Sequence, residues 1–155
     1  MSLYRWVKPL LLLILLFYSC NNNPVQTTSQ PELLYEEAGL VDSAVVFGCY
    51  AYSVRHFLMD TIDLAGYSEI STVFNGSSNS DGTNITVYYN TDSVSNSAVY
   101  SVWNAANINK DHSFSFSSTM RRTWIEVRLY INPPVCGEGE FKFVRVRDLR
   151  IYGSK

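Results

Sequence analysis

The chain has 155 residues, 46% hydrophobic and 14% aromatic, with 12 basic and 14 acidic side chains. This length holds one domain with a single core once the N-terminal segment is set aside, and leaves no room for a second. A slightly acidic balance disfavours nucleic acid as a partner.

The first predicted element is a secretory signal over residues 1–19. Arg5 and Lys8 open it, an apolar run of about ten residues follows, and a small residue closes it. The run is too short to span a bilayer comfortably. The segment Phe17-Tyr18-Ser19-Cys20 resembles the lipobox of bacterial lipoproteins, with Phe17 where Leu is common. That resemblance implies that Cys20 becomes the lipidated first residue of an exported chain, anchored to the membrane through lipid. Asn21 after the Cys, where inner-membrane lipoproteins tend to carry Asp, implies the outer membrane. A flexible tether is expected over residues 20–31: after Cys20, residues 21–31 read NNNPVQTTSQP, uncharged and rich in amides, hydroxyls and proline.

The folded part is expected over residues 32–155. A short helical turn is expected at Pro31 to Ala38, stopped by Gly39, and from Val41 onward strand signals dominate. The expected strands run Ala44–Ser53, Phe57–Asp63, Glu69–Asn75, Asn84–Asn90, Val99–Trp103, His112–Ser117, Thr123–Ile131 and Glu140–Ile151. Residues 76–82, GSSNSDG, are all turn formers and should connect two of them. In the last strand the apolar phase slips, so two bulges, or one break at Arg147-Asp148, would be needed to bring Phe141, Phe143, Val144, Val146, Leu149 and Ile151 to the core. About eight short antiparallel strands predict an all-β sandwich of jelly-roll type.

The pieces LLYEE (33–37), TIDLAGYSEISTVFN (61–75), ITVYYN (85–90) and FVRVRDLRIYG (143–153) resemble strands and turns of galactose-binding-like jelly rolls on secreted bacterial proteins. The likeness is one of strand and turn texture, without a ligand motif. It implies a β-sandwich that in some members binds glycans and in others is purely structural.

With Cys20 assigned to lipid, Cys49 and Cys136 remain in a compartment that permits disulfides. They are expected to be bonded, which would stabilise the fold by about 4 kcal/mol in the chain-entropy model. Two free or buried thiols are the alternative.

Catalytic signals are sparse. There is no HExxH, Cys-x-x-Cys or phosphate loop, and Gly66-Tyr67-Ser68-Glu69-Ile70 lacks the second Gly of a nucleophile elbow. Asp111-His112 reads as a loop end whose neighbours point to opposite faces, as Asp60 and Asp63 also would on a regular strand. Glu138 and Glu140 sit in a Gly-rich loop that cannot position them closely. Ser77-x-Asn79-x-Asp81-Gly82 mimics the front of a calcium loop, but Tyr88 stands where the bidentate Glu belongs. No enzyme, cofactor or metal site is expected.

One strand stands out. In TWIEVRLYI the odd positions Ile125, Val127, Leu129 and Ile131 face a core, so Arg122, Trp124, Glu126, Arg128 and Tyr130 share the other face. Such a ribbon of planar and charged groups suits sugar rings and their hydroxyls, which makes these five the expected ligand contacts. Ordinary cross-strand pairs on a sheet surface are the bland alternative. The basic residues are concentrated in the C-terminal third, from Arg121 to Lys155. The expected partner is a glycan or another envelope polymer, or alternatively an envelope protein.

Overall fold

The structure, a computed structural model, describes residues 30–58, 61–91, 94–119, 121–133 and 139–155. The expected signal (1–19), Cys20, nearly all of the tether, Asp60, Cys136 and Glu138 lie outside the described residues.

The described residues hold nine strands and one short helix: β1 (Glu32–Phe47), β2 (Tyr52–Phe57), β3 (Ile62–Asp63), β4 (Glu69–Ser78), β5 (Thr83–Thr91), β6 (Val94–Trp103), α1 (Ala105–Ile108), β7 (Lys110–Ser117), β8 (Arg122–Ile131) and β9 (Phe141–Ser154). One sheet is ordered β1-β9-β4-β7 and the other β2-β8-β5-β6, with β3 also pairing β8. Every pairing is antiparallel, and β5-β6 is the one consecutive pair. The chain therefore crosses repeatedly from sheet to sheet and wraps as an antiparallel jelly roll, the expected fold class.

The core is the layer between the sheets. Ile70, Phe74, Val144, Val146, Leu149 and Ile151 from one sheet meet Ile85, Val87, Tyr89, Ile125, Val127, Leu129 and Ile131 from the other. Tyr89 places its hydroxyl 2.5 Å from Thr72 Oγ1, so the one buried phenol in this layer has a partner. Burial pushes its ionisation far up, only partly offset by that hydrogen bond.

Several expectations need correction. Residues 31–38 form no helical turn: β1 starts at Glu32 and pairs with β9 throughout. Three register shifts in that pairing, at Leu33/Tyr35, Glu37/Leu40 and Leu40/Asp42, break the alternation that marks a strand. The expected strand Ala44–Ser53 is two strands, divided at Gly48 with φ +77. Residues 76–78 belong to β4 and not to the turn. Gly76 is required there for a different reason: a Cβ would stand 2.7 Å from the Ile108 carbonyl oxygen and 3.1 Å from His112 Nε2. The phase slip in β9 is a single one, with Asp148 in the left-handed region at φ +52. It brings Val144, Val146, Leu149 and Ile151 to the core and leaves Phe141 and Phe143 outside.

His112 is no loop end. It lies within β7, 2% exposed, while Asp111 on the other face accepts from Asn75 at 2.9 Å. Its Nε2 donates to the Ile108 carbonyl at 2.9 Å, Nδ1 and the Tyr100 hydroxyl are hydrogen-bonded at 2.9 Å, and the ring stacks on Phe74 at 4.8 Å. The imidazole thus fastens α1, a helix absent from the sequence expectation, to β7.

Two of the pieces that carried the galactose-binding-like resemblance meet in space. Gly66, at φ +87, turns the chain so that the Tyr67 ring lies on Gly153, where any Cβ would run into it. The Tyr67 hydroxyl donates to Glu32, a hydrogen bond that, with the nearby Lys155 charge, holds the Glu32 carboxyl below its ordinary value. The start of β1, the turn before β4 and the end of β9 are clamped together at that point.

Candidate functional site

β8 is flanked by β2 on one side and β5 on the other, and its odd residues from Thr123 to Ile131 are all buried between the sheets. Arg122, Trp124, Glu126, Arg128 and Tyr130 therefore share the outer face. Register adds Arg55 and Phe57 from β2, opposite Arg128 and Glu126. From β5 it adds Asn84, Thr86, Tyr88 and Asn90, opposite Tyr130, Arg128, Glu126 and Trp124.

The five residues differ in what they offer. Arg122 is exposed, and Trp124, Arg128 and Tyr130 are half-buried. Glu126 is 0% exposed, because two guanidiniums close over it. Arg55 donates through Nε at 2.6 Å and Nη2 at 3.0 Å to the two carboxylate oxygens, and Arg128 donates through Nη2 at 2.9 Å and Nε at 3.1 Å to one of them. Burial by itself would raise the Glu126 carboxyl, but the hydrogen bonds and charges of Arg55 and Arg128 outweigh it and hold it below the ordinary value. Glu126 is thus an internal anchor that aims the arginines.

The aim is specific. The Arg128 guanidinium lies over the Tyr88 ring, 4.5 Å from its centroid, and Nη1 donates to the Tyr88 hydroxyl at 3.3 Å. Arg55 lies 5.2 Å from the centre of Phe57, which is 47% exposed. Tyr130 meets Trp103 of β6 edge to face at 6.4 Å. The result is a fixed row of planar groups with polar edges.

Beneath it runs a polar floor on β5. Asn84 Nδ2 donates to Ser101 Oγ at 2.8 Å and to the Val102 carbonyl at 2.9 Å, while its Oδ1 accepts from Thr86 Oγ1 at 2.6 Å. Asn90 is as deeply buried as any of them, yet among the described residues neither its Oδ1 nor its Nδ2 has a partner.

Both histidines are engaged by neighbouring groups. His56 Nε2 lies 3.3 Å from Glu37 and Nδ1 lies 3.8 Å from Asp42, so each ring nitrogen faces a carboxylate of β1. The two acids approach different nitrogens of the ring, so His56 serves to tie β2 to β1. The calcium-like loop is also spent: Asn79 Nδ2 donates to the Phe141 carbonyl at 2.9 Å and Oδ1 accepts from the Phe143 amide at 2.8 Å. Among the described residues no three His, Cys, Asp or Glu side chains gather as a metal site.

Two clefts lie away from this face. One of about 350 Å³ is bordered by Leu64, Gly66, Tyr67, Ser118, Thr119 and Arg121. The other, about 290 Å³, lies by the β9 bulge beside Asn75, Asp111, Asp148 and Arg150. Their charged groups are largely engaged: Asp148 accepts from the Gly39 amide at 2.8 Å and Arg150 donates to Glu36 at 2.7 Å.

No family model matches the chain, and no curated protein matches it. Among solved structures, it is similar to that of TmCBM61 in complex with beta-1,4-galactotriose, at 10% identity and a TM-score of 0.43, over 81% of this chain and 90% of that one. It is also similar to the structure of infectious bursal disease virus Gx strain, at 14% identity and a TM-score of 0.40, over 81% of this chain and 33% of that one. Likenesses this distant leave the ligand question to the site itself.

Proposed function

We propose that the protein is a non-catalytic envelope lipoprotein that binds a carbohydrate or similar envelope polymer through the outer face of the β2-β8-β5-β6 sheet. The observation that carries this reading is the fixed row itself. Trp124, Tyr130 and Trp103 present ring surfaces, and the buried Glu126 holds Arg55 and Arg128 in place without a ligand, so little side-chain freedom remains to be lost on binding. Arg122, Trp124, Arg128 and Tyr130 are the contacts in this reading, and Glu126 positions two cations behind them.

The anchor belongs to the same proposal: a signal over 1–19, lipid on Cys20, a tether to residue 31 and an outer-membrane location, supported by the sequence alone. So does a Cys49–Cys136 bond, supported by these being the two cysteines that remain once Cys20 carries lipid.

Purified protein applied to a glycan array tests the reading. Binding to a polysaccharide class is expected, with Trp124→Ala reducing it about tenfold, the equivalent of losing an aromatic contact worth about 1.5 kcal/mol. No signal on any class would overturn it.

A second reading rests on the far end of β1. Phe47 and Tyr50 are 67% and 75% exposed, and Phe47 packs on Phe141 at 5.7 Å. By strand rise this tip is roughly 50 Å from Glu32, where the tether would enter, and could take a protein partner instead. Crosslinking in whole cells that recovers one protein partner, insensitive to added glycan, would favour it.

A further inference from the structure

Asn90 is 1% exposed, and among the described residues its carboxamide has no hydrogen-bond partner on either atom. Nearly all buried polar groups in folded proteins are paired, because leaving one unpaired costs stability. Its backbone is well fixed, with the carbonyl accepting from Thr123 Oγ1 at 2.8 Å. Only the side chain is left over. Asn84, six residues earlier on the same strand and face, has both ends of its amide satisfied, so the strand's setting does not by itself orphan an amide.

Register places Asn90 directly opposite Trp124 on the same outer face, and Arg122 follows one step further along β8. Residues so opposed have their Cβ atoms about 5 Å apart. The orphaned amide therefore belongs to the residue paired with Trp124. We infer that Asn90 is the specificity determinant of a Trp124 subsite, reading two adjacent hydroxyls of a neutral sugar ring that stacks on the indole. The inference rests on the glycan-binding reading above and names the ligand feature it requires.

The chemistry selects that feature. A carboxamide offers one acceptor and two donors side by side. A carboxylate ligand would satisfy Nδ2 and leave Oδ1 bare; an ammonium would do the reverse. A vicinal diol satisfies both, because each hydroxyl can donate or accept. The indole face supplies the flat apolar surface that positions the ring, and a small movement of the half-buried Trp124 admits the hydroxyls to the amide.

A residue kept for a ligand and unpaired without it has a signature that a purely structural residue lacks: replacing it should not weaken the fold. The test uses Asn90→Ala and the near-isosteric Asn90→Leu, with affinity measured on 1,4-linked glucan, galactan, mannan and xylan, whose residues keep a free 2,3-diol. A 1,3-linked glucan, which has no adjacent pair of free hydroxyls along its chain, is the control, together with periodate-cleaved forms of whichever polymer binds. The expected result is that wild type binds at least one 1,4-linked polymer, and that binding falls about tenfold on periodate cleavage and in both variants. The Tm of Asn90→Leu should be unchanged or higher by about 4 °C.

Wild-type binding that is equal in Asn90→Leu and Asn90→Ala would overturn the role of Asn90 and leave the glycan reading standing. Equal binding to 1,3-linked glucan or to periodate-cleaved polymer would overturn the diol. A clear fall in Tm for both variants would make Asn90 a structural residue. Absence of wild-type binding to every polymer would remove both the glycan reading and this inference.

Discussion

At Glu126, two effects of opposite sign meet. Complete burial disfavours the carboxylate, and four hydrogen-bonding contacts from Arg55 and Arg128 favour it more. Because its folded-state ionisation lies below the ordinary value, Glu126 contributes stability that is fully present above the unfolded value of about 4.3 and is lost as pH falls through the lowered folded value. Glu126→Gln should cost about 2 kcal/mol at pH 7, the scale of hydrogen bonds to charged groups, and the gap from wild type should close on acidification to pH 2. Urea unfolding at several pH values reads this; a gap that stays constant from pH 7 to pH 2 would show that ionisation of Glu126 is not the source. Little of this was legible beforehand. The alternation of TWIEVRLYI gave the side of the strand on which Glu126 sits, but its partner Arg55 comes from 71 residues away, and only the register of β2 against β8 brings them together. The orphaned amide of Asn90 was hidden for the same reason, since whether an amide is paired is decided by neighbouring strands.

Among the elements, the strands that read most clearly were those that alternate without a bulge. β5 and β8 were predicted within a residue or so at each end because their inner positions are β-branched or aromatic and their outer positions polar. β1 was misread where register shifts destroy alternation and where proline followed by acidic residues imitates a helix start. Tertiary pairing with β9 overrides that local preference. Gly76 and Gly153 show a second limit: by sequence one resembles a turn residue and the other a strand residue, whereas both are places where another group comes too close for a Cβ. Gly153→Ala should therefore destabilise the fold by about 1–3 kcal/mol through overpacking against Tyr67. Tyr67→Ala in the same chain should relieve part of that cost, giving a coupling of about 1 kcal/mol in a double-mutant cycle followed by thermal unfolding. Additive losses would mean that the ring does not rest on Gly153.

For the molecule as a whole, the jelly roll makes the proposed face possible. Two sheets bury one side of every strand, the first strand closes against the last, and the outer side of the β2-β8-β5-β6 sheet is free to carry tryptophan, tyrosine and arginine in register. The fold class was legible because strand count and turn composition are whole-chain properties. The identity of the ligand was not, because it depends on a few side chains from separate strands. The most direct measurement is fluorine NMR of the protein labelled with 5-fluorotryptophan, its resonances assigned by Trp103→Phe and Trp124→Phe, during titration with a polysaccharide it binds. The Trp124 resonance should be accessible to a soluble paramagnetic agent in the free protein, and should shift and become shielded as the polymer is added. A Trp124 resonance that is shielded from the start, or that stays unmoved while the polymer binds, would contradict it.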